Sequence, residues 1–244
     1  ICPLLDSVEK GRHASAEHVH FDAAGEKIYE EVLTSPIFDE KGRVIQVVHA
    51  SRNITERKKA EERIRFLAYY DDLTGLPNRT FYKELLTRAL TFAERHGKIM
   101  ATLFVDLDAF KRINDTLGHD IGDLLLKAAA ERLVRCVRKS DYVARSENGD
   151  IPSTVSRLGG DEFIILLSGV AQPQDAGKVA RRLLEDLSLP YTLIGHEVFV
   201  SASIGMTVST AYGAPVQPER LLADADEALY EAKHAGRGRA AFRT

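Results

Sequence analysis

The run IMATLFVDLDAF at residues 99–110 is apolar almost without interruption and then ends in acids. Such a segment reads as a strand that crosses a core and leaves it at a rim, because a carboxylate straight after buried apolar residues must reach solvent or meet a cation. Helical periods flank it. Asn78 can cap a helix with Phe81, Leu85, Ala89 and Phe92 on one face, stopped at Gly97. Beyond Asp123, Leu126, Ala130, Leu133 and Val137 mark a second helix. DYVAR, TVSRL and EFIILL then read as strands, and PQDAGKVARRLLEDLS (173–188) as a helix. EVFVSASIGMTV (197–208) reads as one strand, and PERLLADADEALYEAKHAG (218–236) as a helix ended by a glycine. The alternation predicts an α/β domain with at least one βαβ crossing and a central hairpin.

Upstream the pattern changes. EHVHF (17–21), EKIYEEVLTSPIF (26–38) and RVIQVVHASRNIT (43–55) are strand-like, with DAAGE and DEKG as turns between them. Three antiparallel strands make too small a sheet face to stand alone, so the other half of a small domain is expected before Ile1. ITERKKAEERIRFLAYYDD (54–72) returns to a helical period, with Ala60, Ile64 and Leu67 on a narrow stripe amid dense charge. A stripe that narrow suits a short coiled-coil seam or a solvated linker helix. The expected division is therefore 1–53, a linker helix over 54–70, and a larger domain over 71–244.

Charge narrows the partners. The net charge of −3 gives no bulk attraction to nucleic acid or to an anionic membrane. No apolar run approaches membrane-spanning length, and no signal-peptide pattern opens the chain. Cys2 and Cys136 fit neither a metal-ligand spacing nor a disulfide framework. A cytoplasmic location is the expectation for this stretch, without nucleic acid and without membrane insertion.

Candidate chemistry begins at SRLGGDEFIILL (156–167), where Gly159 and Gly160 precede Asp161 and Glu162. A hairpin tip kept wet by acids is one reading; a turn that offers carboxylates to a metal is the other. The second needs partners, and Asp106 and Asp108 leave their strand as hard oxygen ligands of the kind Mg²⁺ takes. In AFKRINDTLGHDIGD (109–123), read as a loop, Asn114 offers a donor and an acceptor, and Asp123 accepts only. That pair can read the adjacent N1–H and N2–H₂ donors of guanine, although Asp123 can equally serve as a helix cap or first-turn acid. Lys111 can neutralise phosphate, while His119 can touch substrate or simply pack. Lys233 and Arg237, at i and i+4, complement a helix C-terminus or clamp a triphosphate.

In this order the motifs resemble the GGDEF family of diguanylate cyclases, over residues 66–244. DDLTGLPNR (71–79) is similar to its opening motif, and FVDLDAFKRINDTLGHDIGD (104–123) to its metal and guanine segment. RLGGDEF (157–163) matches its name-giving turn, and ALYEAKHAGRGR (228–239) its closing helix. Residues 1–53 are similar to the C-terminal half of a PAS sensor domain, and RNITERKKAEE to a PAS-to-output junction. The resemblance implies a palm-like α/β (α+β) fold related to nucleotide cyclases, with a mainly antiparallel central sheet flanked by helices. It implies condensation of two GTP into cyclic di-GMP with release of pyrophosphate, under PAS control, in a homodimer formed through the PAS unit and linker helix. Mg²⁺ (or Mn²⁺) would be held by Asp106, Asp161 and the Leu107 carbonyl, with Glu162 at a second metal and Asp161 as proton acceptor for the 3′-hydroxyl. Asn114 and Asp123 would read guanine with His119 nearby, and Lys111, Lys233 and Arg237 would take phosphate charge.

The family's inhibitory R-x-x-D, where product binds, is matched by Arg138 and Asp141, but residues 146–157 intervene before Leu158. Either the strand carries a hairpin excursion or the motif has moved away from the turn. SENGDIPST (146–154) reads as a solvent loop. The alternative function is a non-catalytic GGDEF module that binds GTP or cyclic di-GMP and regulates a further domain such as an EAL phosphodiesterase. The full set of catalytic groups argues against it.

Overall fold

The computed structural model describes residues 2–138, 153–209 and 217–243. Asp141, the Arg138 side chain and residues 146–152 lie outside the described residues, so the inhibitory pair and most of the polar segment have no structural account. The chain divides into two units, Ile1–Phe66 and Leu67–Thr244.

The first unit opens with a helix that the sequence pattern did not suggest, α1 (Pro3–Lys10). Strands β1 (Ala14–Phe21), β2 (Lys27–Phe38) and β3 (Val44–Asn53) follow as an antiparallel sheet in that order. Its two turns share one device. Asp22 and Asp39 each accept from backbone amides two and four residues on, which closes the hairpin without help from the core. α1 is tied to the sheet by the buried Ser7 hydroxyl, 2.7 Å from that of Thr34. α2 (Thr55–Tyr69) starts where Asn53 accepts from the Thr55 amide. Ala60, Ile64 and Leu67 are all exposed on it, Ile64 by 68%.

The second unit begins with α3 (Arg79–His96), capped by Asn78 and ended by Gly97 in the left-handed region, as expected. After it come β4 (Ile99–Leu107), α4 (Phe110–Leu117), α5 (His119–Arg138), β5 (Thr154–Gly159) and β6 (Glu162–Val170). The chain continues through α6 (Pro173–Ser188), β7 (Tyr191–Leu193), β8 (His196–Val198), β9 (Ala202–Ser209), α7 (Pro218–His234) and β10 (Ala240–Arg243). The sheet order is β10-β9-β4-β6-β5, antiparallel throughout except for β9–β10, which α7 joins as a βαβ crossing. This is the mainly antiparallel, palm-like α/β arrangement expected. β4 sits at its centre, and its residues from Met100 to Leu107 are buried because helices cover both faces. On one face Leu103, Val105 and Leu107 meet α4, α5 and α6; on the other Phe104 and Ile164 meet α3 and α7.

One glycine sets the distance between α7 and the sheet. A Cβ on Gly205 would stand 2.1 Å from the Leu229 amide nitrogen and 2.2 Å from the Ala225 carbonyl oxygen, so helix backbone lies directly on β9.

Several sequence expectations need correction. The buried stripe of α3 is Tyr82, Leu86, Ala89 and Ala93; Ala89 is where it was expected, but the other three lie one position on from Phe81, Leu85 and Phe92, which flank the stripe half-buried. Both sets keep helical spacing; the inward one packs with Met100, Phe104 and Ile164, and its Tyr82 hydroxyl donates to Thr102 on β4. Residues 109–123 are two short-linked helices rather than a loop. Gly118, at φ 87°, ends α4 and lets α5 start at once. Asp123 is therefore the fifth residue of α5 and not its cap. The expected strand 197–208 is two strands, since His196–Val198 turns back on Tyr191–Leu193 before β9 begins. α7 stops at His234, so Lys233 and Arg237 do not share a helix face.

Candidate active site

At the exit of β4, Asp106 lies opposite Glu162 in the β4–β6 ladder, so both side chains leave the same face of the sheet. Asp161 occupies the turn between β5 and β6, where Gly159 (φ 140°) and Gly160 (φ 54°) take conformations that a side chain would strain. Its carbonyl accepts from the Leu107 amide at 3.3 Å, which ties the hairpin tip to the strand exit. Lys233, in the last turn of α7, reaches the Asp106 carboxylate at 2.6 Å.

Burial pushes the Asp106 carboxyl above its ordinary pKa, and the negative charges of Asp161 and Asp108 push the same way; Lys233 opposes them without cancelling the shift. Converging carboxylates with a single nearby ammonium are a charge arrangement that a divalent cation relieves. Among the described residues no group of three or more acids, histidines or cysteines converges. The protein would thus offer the Asp106 and Asp161 carboxylates and the Leu107 carbonyl, leaving other positions to water and substrate phosphate, which is how Mg²⁺ is commonly held. The donor set fits that ion.

Asp108 has a different job, and sequence reasoning missed it. Its carboxylate accepts from the Ser201 hydroxyl at 2.7 Å, the Ser203 hydroxyl at 2.8 Å and the Gly238 amide at 3.1 Å. Arg237, in the left-handed region at φ 61°, has its Nε 3.9 Å from the same carboxylate. Asp108 is thus an anchor that fastens β4 to the segment entering β9 and to the turn after α7. The spacing carried no signal for this role, since Asp108 falls in the turn just past the end of β4 and its partners come from distant segments.

Arg157 was missed as well. Buried one residue before LGG, it grips Asp71 at 2.8 and 3.0 Å through one guanidinium nitrogen and the Gly160 carbonyl at 3.1 and 2.7 Å through the other two. Burial raises the Asp71 carboxyl, but the Thr74 hydroxyl and amide and the Arg157 guanidinium together outweigh it and leave the pKa below its ordinary value. The segment DDLTGLPNR is thereby a brace for the hairpin. Arg157→Ala should cost about 3 kcal/mol, near the low end for breaking a buried pair because Asp71 keeps some exposure. Thermal unfolding would read the loss.

Asn114 sits on α4 with its Oδ1 buried and without a hydrogen-bond partner. Gly122 makes that seat possible, since a Cβ there would lie 1.8 Å from this oxygen. An orphaned buried acceptor costs roughly 1–3 kcal/mol, which a ligand N–H would remove. Asp123, Lys111 and His119 stand exposed on the same two helices.

The GGDEF domain profile, described as diguanylate cyclase, matches residues 68–239, and a PAS fold profile matches residues 1–59. The chain belongs to the GGDEF family. An uncharacterized signaling protein of Caulobacter vibrioides is 40% identical over 218 residues, covering 88% of this chain and 25% of its own. The bifunctional diguanylate cyclase/cyclic di-GMP phosphodiesterase MucR of Pseudomonas aeruginosa is 40% identical over 183 residues, 75% of this chain and 24% of MucR. The chain therefore spans about a quarter of the length of these curated relatives. The solved GGDEF domain of TpbB from Pseudomonas aeruginosa superposes with a TM-score of 0.64 at 38% identity, covering 72% of this chain and 95% of that one.

In this GGDEF domain, folding brings together Asp106, Leu107, Asp161, Glu162 and Lys233, with Arg237 joined through Asp108. Asn114 and Asp123 lie apart from that group, on α4 and α5, which pack on the other face of the sheet. Among the described residues, Lys111, His119 and Asp123 make no ion pair with the carboxylate cluster.

Proposed function

We propose that this GGDEF domain is an active diguanylate cyclase, condensing two GTP into cyclic di-GMP under control of the PAS unit. The observation that carries the reading is Asp106, held by Lys233 at 2.6 Å, close enough to Asp161 for that charge to raise its carboxyl, and paired with Glu162 across the β4–β6 ladder. Guanine would be read on the α4/α5 side, its donors taken by the unpartnered Asn114 acceptor and by Asp123, with His119 at the rim. Lys111, Lys233 and Arg237 would take the triphosphate charge. Mg²⁺ (or Mn²⁺) bound by Asp106, the Leu107 carbonyl, Asp161 and Glu162 would supply phosphate neutralisation and favour the 3′-alkoxide.

Each 3′-oxygen forms a bond to the α-phosphorus of the other GTP. The bond from that phosphorus to its bridging oxygen breaks, and the electron pair leaves with pyrophosphate. The hydroxyl proton passes to the Asp161 carboxylate. One domain holds one GTP, so two sites must face each other, which a two-fold homodimer achieves. Incubation with GTP and Mg²⁺ should give cyclic di-GMP by chromatography. GTP binding without turnover would favour the regulatory-module reading instead.

The exposed stripe Ala60, Ile64 and Leu67 on α2 is the proposed pairing seam. It is short, so specific activity should rise with protein concentration. Replacing Ile64 and Leu67 with Glu should lower activity at least tenfold at nanomolar protein and leave GTP binding intact, about 1.4 kcal/mol of lost association. Activity that stays flat with concentration in the parent, and unchanged in the variant, would remove α2 from the mechanism.

A further inference from the structure

A cleft of about 320 Å³ opens on the α3/α7 side of the sheet, and Glu162 forms part of its wall. Arg79 and Lys83 stand on it from the first turns of α3, Asp226 from α7, and Phe104 and Leu158 supply an apolar floor. Arg79 and Lys83 are i and i+4, so they present on one helix face. Both are exposed, and neither has an ion-pair partner among the described residues. The nearby cations with known work point elsewhere: Lys233 is on Asp106 and Arg157 is on Asp71. Two unpaired cations beside a site carboxylate are matched by an anionic group that arrives with the substrate.

We infer that this cleft seats the α-phosphate and ribose of the second GTP, the one bound by the partner domain, with Arg79 and Lys83 as its phosphate contacts. The inference rests on the cyclase reading above. The residues proposed to read guanine belong to α4 and α5, on the opposite face of the sheet, whereas Glu162 and the cleft are on the α3/α7 face. A nucleotide based on the α4/α5 side brings its ribose to the strand ends, so the phosphorus that its 3′-oxygen attacks must approach from beyond Glu162. The cleft is where that approach ends. Its volume lies at the bottom of the ~300–1,000 Å³ range of ligand pockets, which suits a ribose-phosphate fragment better than a whole nucleoside triphosphate. Guanidinium and ammonium groups stabilise the charge that builds on the phosphoryl oxygens as the bond order shifts. Asp226, acceptor-only, faces the hydroxyl donors that accompany that phosphate.

The test compares the parent chain with Arg79→Gln/Lys83→Met and with the charge-keeping exchange Arg79→Lys/Lys83→Arg. Three readouts are taken: cyclic di-GMP formation over a range of protein concentrations, calorimetric binding of a non-hydrolysable GTP analogue, and thermal unfolding. The neutral pair should lose at least 30-fold in turnover at every protein concentration, bind the analogue within about twofold of the parent, and melt at the parent temperature. The charge-keeping exchange should recover turnover to within about fivefold. Turnover of the neutral pair within twofold of the parent would overturn the inference while leaving the cyclase reading standing. Loss of analogue binding or a lowered melting temperature would also overturn it, by assigning the two cations to the chain's own nucleotide or to its packing. A parent chain that makes no cyclic di-GMP removes the cyclase reading itself, and the inference with it.

Discussion

Asp161→Asn should lower cyclic di-GMP formation by at least about 10³-fold and leave the domain folded. In the proposed reaction the side chain supplies two things at once, a metal-facing oxygen and a proton acceptor, and the amide supplies neither charge nor basicity. The position of the turn does not depend on the carboxylate. It is set by the two glycines, by the Asp161 carbonyl on the Leu107 amide, and by Arg157 on the Gly160 carbonyl. Stability should even move the other way. Asp161 is one of the charges that drive the Asp106 carboxyl up, so neutralising it relieves repulsion in the metal-free domain.

This repulsion makes stability depend on pH. A carboxyl whose folded pKa is raised gives stability that is fully present below the unfolded value of 3.8 and lost as pH rises through the folded value. In chelator, the parent should therefore lose stability across that window, and Asp161→Asn should lose less. Chromatography of the product and thermal melts in chelator measure the two halves. A variant that still turns over at a tenth of the parent rate would remove Asp161 from the chemistry.

The second large effect is on packing. Gly205→Ala should destabilise the domain by about 3 kcal/mol, the upper part of the usual range for overpacking, because the added methyl meets helix backbone and no side chain can swing aside. At about 2–4 °C per kcal/mol for a domain of this size, melting should fall by roughly 6–12 °C. The site should register it too, since α7 carries Lys233 to Asp106 and moving the helix off β9 separates them. Turnover should fall even well below the melting transition. Unchanged melting and turnover would mean that α7 can shift at no cost.

Much of the fold was legible because local rules and tertiary packing agree along most of the chain. Asn78 and Gly97 bound α3 where capping chemistry places them, and Pro173–Ser188 is helical as its period demands. Errors fell where two local readings were nearly equal. The α3 stripe slipped by one position because Phe81-Leu85 and Tyr82-Leu86 have the same spacing, and only β4 beneath them chooses. Val198 and Ala202 read as one strand because nothing in their own composition reports that Tyr191–Leu193 would claim the first part.

By itself the sequence determined the motif identities: the acids at a strand exit, the glycine turn before Glu162, and the amide and carboxylate on residues 109–123. Those follow from residue type and spacing, which are local. Only the tertiary structure decided what each group is bound to. Asp106 and Asp108 look equivalent along the chain, yet one faces Asp161 and Lys233 while the other is consumed by Ser201, Ser203 and Gly238. Arg157 shows nothing of its hold on Asp71, 86 residues away, until the sheet closes. The reason is physical: a carboxylate's role is fixed by the charges and donors around it, and here those come from segments that meet only when β4, β6 and β9 pair.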